Sequence, residues 1–393
     1  EDGIRDQPRS RGLGDVYKRQ ALGRSALVAN TTGSSNCALG QSSLYANTTG
    51  SSNVAIGQAA LQANTTGSHN TAFGQSALQA NTTASYNTAI GRNTLLVATT
   101  AAENTAVGNN AMGATTTGGY NVAVGAAALD AHTTGESNVA VGGNCLSSMT
   151  TANGNTAIGR QTMFTTTTGH SNVAVGYYSM YANSTGTFNT AVGKGALQDN
   201  TTASYNTAIG YEALASNTTG DQNTACGYQA LKDTTTGQHN TAFGLYALQA
   251  NTTGNYNVAV GHNALDACTT SVSNVCVGRN AGGSITTGNG ENVCVGNNAA
   301  AAMTTGAQNI LIGDNCGAGA AITGNLNTII GDNAGYALSS GSNNTAVGGS
   351  ALSSQSSGSG NTAVGYRSLT DTTTASNNTC LLYTSDAADE GLG

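Results

Sequence analysis

The side chains that most often carry out enzyme chemistry are sparse and unordered in this sequence. Its five histidines fall at unrelated places along the chain, without the neighbouring partners that a nucleophile and its general base require. They are His69, His132, His170, His239 and His262. The sequence therefore predicts no catalytic residue, and we expect a protein that is not an enzyme.

The cysteines and acidic residues do not form a pattern typical of metal binding. No Cys-x-x-Cys pair occurs, and no histidine cluster accompanies the cysteines. Asp314 and Asp332 each stand between a glycine and an asparagine, which is only a weak candidate for a cation site. Several cysteines replace Thr, Val, Ala or Leu and are expected to act as small apolar side chains: Cys37, Cys226, Cys276 and Cys294. We predict no metal and no cofactor.

Aromatic residues give the best candidates for contact with a ligand. A tyrosine ring offers area for stacking together with a hydroxyl group, a combination that suits sugars and protein surfaces. Two sets recur at fixed places in a repeat described below, namely Tyr86, Tyr120, Phe188, Tyr205 and Tyr256 in one, and Tyr177, Tyr211, Tyr228 and Tyr366 in the other. The alternative is that each is an ordinary exposed ring on a polar surface.

The composition argues against an ordinary globular enzyme. Only 8% of the 393 residues are charged, whereas soluble domains usually carry about 25%. The formal net charge of −7, without a basic run, argues against nucleic acid as a partner. No apolar stretch approaches the roughly 18 residues that a membrane helix requires, so no membrane contact is expected within this segment. A repetitive structural chain fits these features better.

The two ends resemble translated DNA adapters. Residues 15–20 back-translate to a DNA segment whose reverse complement, read in another frame, encodes residues 380–385. Such an inverted repeat resembles the transposon-end adapter of shotgun sequencing. We therefore expect residues 1–20 and 380–393 to be adapter-derived and not structural, and we exclude them from the prediction of the fold.

The region between these ends repeats one motif about twenty times, and the repeat must position every side chain named above. The motif Asn-[Thr/Val]-Ala-[Val/Ile]-Gly recurs with its Asn at 36, 53, 70 and onward to 274 in steps of 17 residues, then to 378 in steps of 17 or 18. We number the repeat positions 1 to 17 from this Asn. The alternation at positions 2 to 4 favours a strand, and the glycines at positions 5 and 15 favour turns. The pattern predicts an all-β fold, a parallel β-solenoid with one repeat per coil, as a single domain over residues 21–379.

Two repeat positions change size together. Where position 3 is alanine, position 9 is leucine or methionine, and where position 3 grows, position 9 shrinks. Compensating volumes are expected of side chains that share a close-packed interior. The prediction places these residues inside the coils: Ala55, Leu61, Ala72, Leu78, Leu311, Gly317, Ile329 and Gly335.

If position 3 faces inward, the strand alternation turns position 4 outward. Position 4 is apolar in every copy, and a continuous apolar stripe is more than a soluble monomer normally exposes. Its first members are Ile56, Phe73, Ile90, Val107, Val124, Val141, Ile158, Val175, Val192 and Ile209. A symmetric homo-oligomer of parallel copies, with three as the favoured number, would cover it. The alternative is a lone solenoid with position 4 inside and alanine outside.

The motifs N-T-A-V-G, N-V-A-V-G and N-T-A-I-G followed by A-L resemble the head repeats of trimeric autotransporter adhesins. They are also similar to repeats of phage tail-fibre proteins. The resemblance covers residues 21–379 and implies a homotrimer that is extracellular, on a cell surface or virion, and contacts a host-cell, glycan or matrix receptor. The 17-residue period is longer than the period common in adhesin heads, so a different coil shape is expected. Bacterial adhesin and phage fibre both remain open.

Two polar columns allow further interpretations. Stacked position-1 asparagines are expected to form a structural amide ladder along the coils. Adjacent threonines at positions 13 and 14 raise an alternative function, binding to ice or another crystal surface, because regular threonine rows suit such surfaces. Successive strand residues face opposite ways, so this pair offers one outward threonine per coil.

Overall fold

The computed structural model describes residues 19–381, and between these limits no residue is helical. Each repeat contributes one short strand at positions 2 to 4, followed by turns, and one repeat makes one coil. The prediction of an all-β parallel solenoid with coils of about 17 residues is therefore confirmed. In this part of the chain there is also no helix of the length and apolarity that would cross a membrane.

The described residues form two compact units that both consist of the same repeat. The first reaches Gly195 and includes Asn200–Thr202, and the second comprises Ala196–Asp199 and the residues from Ala203 onward. Strands of the first unit are β1 (Arg19–Leu22), β2 (Asn36–Leu39), β3 (Val54–Ile56), β4 (Thr71–Phe73), β5 (Thr88–Ile90), β6 (Thr105–Val107), β7 (Val122–Val124), β8 (Val139–Val141), β9 (Thr156–Ile158), β10 (Val173–Val175) and β11 (Thr190–Val192).

Strands of the second unit are β12 (Thr207–Ile209), β13 (Thr224–Cys226), β14 (Thr241–Phe243), β15 (Val258–Val260), β16 (Val275–Val277), β17 (Val293–Val295), β18 (Ile310–Ile312), β19 (Thr328–Ile330), β20 (Thr345–Val347), β21 (Thr362–Val364) and β22 (Thr379–Leu381). Within each unit, every strand pairs in parallel with the strand of the next coil, and equal repeat positions lie opposite each other.

The strands extend two residues into each segment that we expected to be adapter-derived. Arg19 and Gln20 belong to β1 and pair with Asn36 and Cys37, while Cys380 and Leu381 pair with Ala363 and Val364. A parallel ladder uses backbone groups, so it accepts residues that lie outside the repeat consensus. Residues 1–18 and 382–393 lie outside the described residues.

Backbone hydrogen bonds join each coil to both neighbours, also outside the strands. The N–H of Leu61 donates to the carbonyl of Ala77 in the next coil at 3.0 Å, and the N–H of Thr65 to that of Thr82 at 2.8 Å. In the opposite direction, the N–H of Ala59 donates to the carbonyl of Gln41 in the preceding coil at 2.9 Å. Because turns and strands share one register, the backbone N–H and C=O groups find hydrogen-bond partners in the neighbouring coils without any helix.

The position-1 asparagines form a buried amide ladder, as predicted. Oδ1 of Asn53 accepts from the backbone N–H of Asn70 at 3.0 Å and from its Nδ2 at 3.2 Å. The Nδ2 group of Asn53 also donates to the carbonyl of Gly67, at the far end of the same coil, at 2.8 Å. Each asparagine therefore closes its own coil and binds the next one.

Glycine at position 5 is required by both backbone and space. Gly108 has φ +135°, a backbone region that side chains rarely adopt. A Cβ atom there would lie 2.6 Å from the carbonyl carbon of Gly125 in the next coil. The strand ends at Val107, just before this backbone conformation, and the close approach of the next coil excludes any side chain at Gly108.

The interior also contains position 12, which holds polar side chains in some coils and apolar ones in others. Asn47, Asn64 and Asn81 each donate Nδ2 to the preceding position-12 asparagine at 2.7–2.8 Å. The row ends where Ala98 follows, and Oδ1 of Asn81 then has no hydrogen-bond partner among the described residues. In the second unit the same position carries Ile285, Met303 and Leu338, all buried.

His132 occupies position 12 of its coil and is fully buried. Its Nδ1 lies 3.1 Å from Oγ1 of Thr115, while Nε2 has no hydrogen-bond partner in the described part of the chain. Burial lowers the pKa of His132 to about 4, because the interior disfavours the charged imidazolium. The interior therefore holds this histidine in its neutral form.

Replacing Gly108 by alanine is expected to lower the free energy of unfolding by at least about 2 kcal/mol, because the new side chain strains the backbone and collides with the next coil. Gly143→Ala is the matched control, since its nearest neighbour would be the Ala126 carbonyl oxygen at 3.9 Å. Denaturant unfolding of both variants measures the difference. Equal stability of the two would contradict the close approach of the coils.

Acid is expected to destabilise the coils around His132. In the unfolded chain the pKa of His132 is 6.5, whereas in the folded chain it is about 4. The stability contributed by the neutral side chain is therefore fully present above pH 6.5, and it is lost as the pH falls towards 4. The loss is on the order of 3 kcal/mol. Hydrogen exchange of this region between pH 7 and 4 measures it.

His132→Asn is the control for this pH dependence. At the equivalent pair of positions, Nδ2 of Asn251 donates to Oγ1 of Thr234 at 3.4 Å, so the fold accepts asparagine beside threonine here. The variant is expected to lose the extra sensitivity between pH 6.5 and 4. An identical pH profile in both proteins would show that His132 is not the titrating group.

Candidate interaction surfaces

The alanines of position 3 face the inside of the coils. Ala55, Ala72, Leu311 and Ile329 are fully buried, as are the position-9 residues Leu61 and Leu78. Gly317 and Gly335 are buried as well. A Cβ atom on Gly335 would lie 3.1 Å from Cγ2 of Ile329, and one on Gly317 would collide with Leu311. Positions 3 and 9 therefore change size together because their side chains are in direct contact.

Position 9 adopts a left-handed backbone in nearly every coil. Leu61 has φ 50° and Leu78 also has φ 50°, which is unfavourable for a residue with a Cβ atom. Burial of the whole leucine side chain offsets this strain. Glycine at Gly317 and Gly335 takes the same conformation without strain, so it serves both the backbone and the larger residue at position 3.

Position 4 forms an apolar stripe on the outer face of the strands. Phe73 is 53% exposed, and Ile90, Val124, Ile158, Val192 and Ile209 are also exposed. Ile56, Val107, Val141 and Val175 are half-buried. The alternative arrangement, with alanine outside and position 4 inside, is wrong.

The stripe is regular because equal positions pair across coils. Ile56 lies opposite Phe73, Phe73 opposite Ile90, and Ile90 opposite Val107. Adjacent strands of a sheet lie about 4.8 Å apart, so the apolar side chains form an unbroken row within each unit. A row of this kind marks a surface suited to association.

The position-17 aromatics lie on the surface, but some stack on neighbouring coils. Tyr86 stacks on His69 with ring centroids 5.0 Å apart, and Tyr256 stacks on His239 at 4.9 Å. Phe188 meets His170 edge to face at 5.4 Å. Tyr120 and Tyr205 are exposed. In the stacked pairs one face of the tyrosine is already occupied, which reduces the area left for a ligand.

Three of the position-6 tyrosines, Tyr177, Tyr211 and Tyr228, belong to clusters that also contain tyrosines of position 7. Tyr211 stacks on Tyr228 at 5.1 Å, and Tyr228 meets Tyr246 edge to face at 5.5 Å. Tyr177 lies 4.0 Å from Tyr178 between ring centroids. Tyr366 is exposed.

Charged groups beside Tyr211 form a small network. The Tyr211 hydroxyl bonds to the Glu212 carboxylate, which raises the pKa of Tyr211 and lowers that of Glu212. Lys232 lies 3.3 Å from Oε2 of Glu212, and Nε2 of Gln229 donates to the same oxygen at 2.8 Å. Three neighbouring side chains therefore bind this carboxylate.

The carboxylates of Asp314 and Asp332 bind asparagine amides. Asn297 donates to Oδ1 of Asp314 at 2.8 Å, and Asn333 donates to Oδ2 of Asp332 at 3.0 Å. Over residues 19–381, no group of three His, Cys, Asp or Glu side chains is placed to hold a metal ion.

Threonine side chains at positions 13 and 14 differ in what they bind. The position-13 hydroxyl of Thr65 donates to the carbonyl of Thr82 in the next coil at 3.0 Å. The position-14 residues Thr66, Thr83, Thr100 and Thr117 are exposed. The position-14 column therefore faces outward, but both threonine positions lie in bends and not in strands, so strand alternation is not the reason.

Every cysteine lies in the described range and is a free thiol. Cys276 and Cys294 lie opposite each other in neighbouring strands, and both are fully buried. Burial raises the pKa of Cys145, Cys268 and Cys316 to about 12. Since the thiolate is the reactive form, these side chains are chemically inert in the folded protein.

Comparison with models of known protein families, with curated proteins and with solved structures finds no match to this chain.

Thiol labelling is expected to divide the cysteines by burial. Iodoacetamide at pH 8 should leave Cys145, Cys268, Cys276, Cys294 and Cys316 unmodified in the folded protein, because they are buried and the reagent cannot reach them. Mass spectrometry after digestion identifies the modified residues, and denatured protein is the control in which all thiols react. Rapid modification of Cys276 or Cys294 in the folded chain would contradict the inward direction of position 3.

Proposed function

We propose that this chain is a structural and adhesive fibre segment of a bacterial surface adhesin or phage tail fibre. In this proposal parallel copies associate as a homotrimer through the position-4 stripe. The assembled segment acts as a spacer, and its outer surface contacts a host-cell, glycan or matrix receptor. Its location would be extracellular, on a cell surface or a virion.

The observation that carries the proposal is the direction of the strand side chains. The position-3 alanines are fully buried, while the larger apolar residues of position 4 face outward, with Phe73 53% exposed. Removal of apolar area from water contributes about 25 cal/mol per Å², part of which is offset by the entropy lost when copies associate. A row with one apolar side chain per coil adds this contribution at every coil when copies align.

The repeat also explains why the partner would be a second and third copy of the chain. Copies aligned in parallel and in the same register bring identical rows together around one axis, which gives a closed assembly. The choice of three rather than two rests on the resemblance to trimeric adhesin heads and tail fibres.

Binding to ice is a second candidate, favoured by the exposed threonine column at Thr66, Thr83, Thr100 and Thr117. The column is only one threonine wide, since the position-13 hydroxyls bond to the next coil. Thermal hysteresis of the purified chain tests this function, and freezing without hysteresis would remove it.

The homotrimer is tested by the mass of the full chain in solution. Light scattering is expected to give three times the chain mass, and the triple variant Phe73→Glu, Ile90→Glu, Val124→Glu is expected to give a monomer with an unchanged circular dichroism spectrum. Three carboxylates per copy at one seam would repel each other and would have to be desolvated. The control is Thr66→Glu, Thr83→Glu, Thr100→Glu, which adds equal charge outside the stripe and should stay trimeric.

Cys226 supplies a second readout because it occupies position 4 of its coil and is half-buried in the single chain. It should be protected from iodoacetamide in the trimer and labelled in the monomeric variant. A monomeric mass for the unmodified chain, or equal labelling of Cys226 in both proteins, would contradict the proposal.

A further inference from the structure

A shallow groove of about 360 Å³ lies on the surface of the second unit. It crosses three consecutive coils and is lined by Asn298, Asn315 and Asn333 at position 7, and by Ala301, Ala318 and Tyr336 at position 10. None of these residues belongs to the position-4 stripe, so the association proposed above uses other side chains. The volume falls within the range of small-ligand sites.

The groove exists because position 10 carries only small side chains in consecutive coils, at Gly283, Ala301 and Ala318. In other coils this position varies in size and includes longer residues such as Gln62, Gln79 and Gln249. The short side chains of Ala301 and Ala318 leave space above two neighbouring coils, so the groove is longer than one coil alone could make it. The groove is therefore a property of neighbouring coils that lie in register.

Tyr336 forms one end of the groove and is held in place by a glycine. A Cβ atom on Gly319 would lie 2.6 Å from Cδ1 and 2.8 Å from Cζ of the Tyr336 ring. Because Gly319 has no side chain, the ring packs against the backbone of the preceding coil. The tyrosine is 46% exposed, so it keeps ring surface for a ligand.

The asparagines form a wall with fixed orientation. Nδ2 of Asn280 donates to Oδ1 of Asn298 at 3.0 Å, and Nδ2 of Asn298 donates to Oδ1 of Asn315 at 3.0 Å. Nδ2 of Asn315 and of Asn333 donate to the carboxylates of Asp314 and Asp332 at 3.3 and 3.0 Å. An amide has two N–H donors and two acceptor sites, so each of these groups keeps bonding capacity beyond the ladder.

These features together select a ligand with hydroxyl groups on one side and an apolar face on another. Hydroxyls both donate and accept, as the amide wall requires, and the C–H face of a sugar ring packs on tyrosine. Asp314 and Asp332 beside the wall disfavour anionic ligands. We propose that this groove binds a neutral saccharide unit, an inference that rests on the proposed adhesive function and names the receptor chemistry for it.

The test uses the full chain on an array that carries neutral, sialylated and sulfated glycans, followed by titration calorimetry with the neutral glycan that binds best. Binding to neutral glycans is expected. Ala318→Gln should weaken it at least tenfold by filling the groove, with a residue that position 10 already carries in other coils. Tyr336→Ala should weaken it about three- to tenfold through lost ring contact.

Ser147→Gln is the matched control, because it places the same side chain at position 10 of a coil in the first unit, away from every residue that lines the groove. It should leave the affinity unchanged. The inference is overturned if no neutral glycan binds, if only sialylated or sulfated glycans bind, or if Ala318→Gln and Ser147→Gln bind equally well. A trimeric chain without glycan binding would remove this inference alone, whereas a monomeric chain that binds through the groove would remove the trimer alone.

Discussion

The whole structure depends on one constraint, that the backbone and the position-1 amides of each coil find their partners in the next coil. Asn53 bonds to Asn70 and also to Gly67 of its own coil, so coil closure and coil stacking use the same side chain. This register places equal repeat positions on top of each other. The interior columns, the surface rows and the groove all follow from this register, because residues at the same repeat position stack on each other from coil to coil.

The register also determines which residues the fold can vary. Position 5 must be glycine because the neighbouring coil leaves no space for a Cβ atom. Positions 3 and 9 exchange volume, as Leu311 and Gly317 show, since they touch inside one coil. The outward positions meet no such limit, and there the chain carries tyrosines, amides and threonines in different coils. A surface that contacts partners needs side chains that can vary while the backbone that carries them stays the same.

The strands and the direction of their side chains could be predicted from the sequence for a clear reason. Alternation around Ala55 and Ala72 indicates a strand, and the exchange of size between positions 3 and 9 indicates which face is inside. Position 12 could not be predicted in this way, because it holds Asn64, His132 and Leu338 in different coils and so has no characteristic residue type. The left-handed backbone at Leu61 could not be predicted either, because leucine rarely adopts a positive φ.

The groove was missed because no single repeat contains it. Ala301 and Ala318 are unremarkable one at a time and form a floor only when position 10 is compared between neighbouring coils. Tyr336 was not among the predicted contact residues, because position 10 carries tyrosine only there and at Tyr45 and Tyr181, and holds residues of many sizes in other coils. Aligning the repeats and searching for neighbouring small residues would have found both.

The opposite directions of positions 3 and 4 can be seen in an electron cryomicroscopy map of the assembled chain at side-chain resolution. We expect alanine density inside each coil and position-4 side chains at the contact between parallel copies. A map in which the alanine column faces solvent, or in which the position-4 row is covered by nothing, would contradict this expectation.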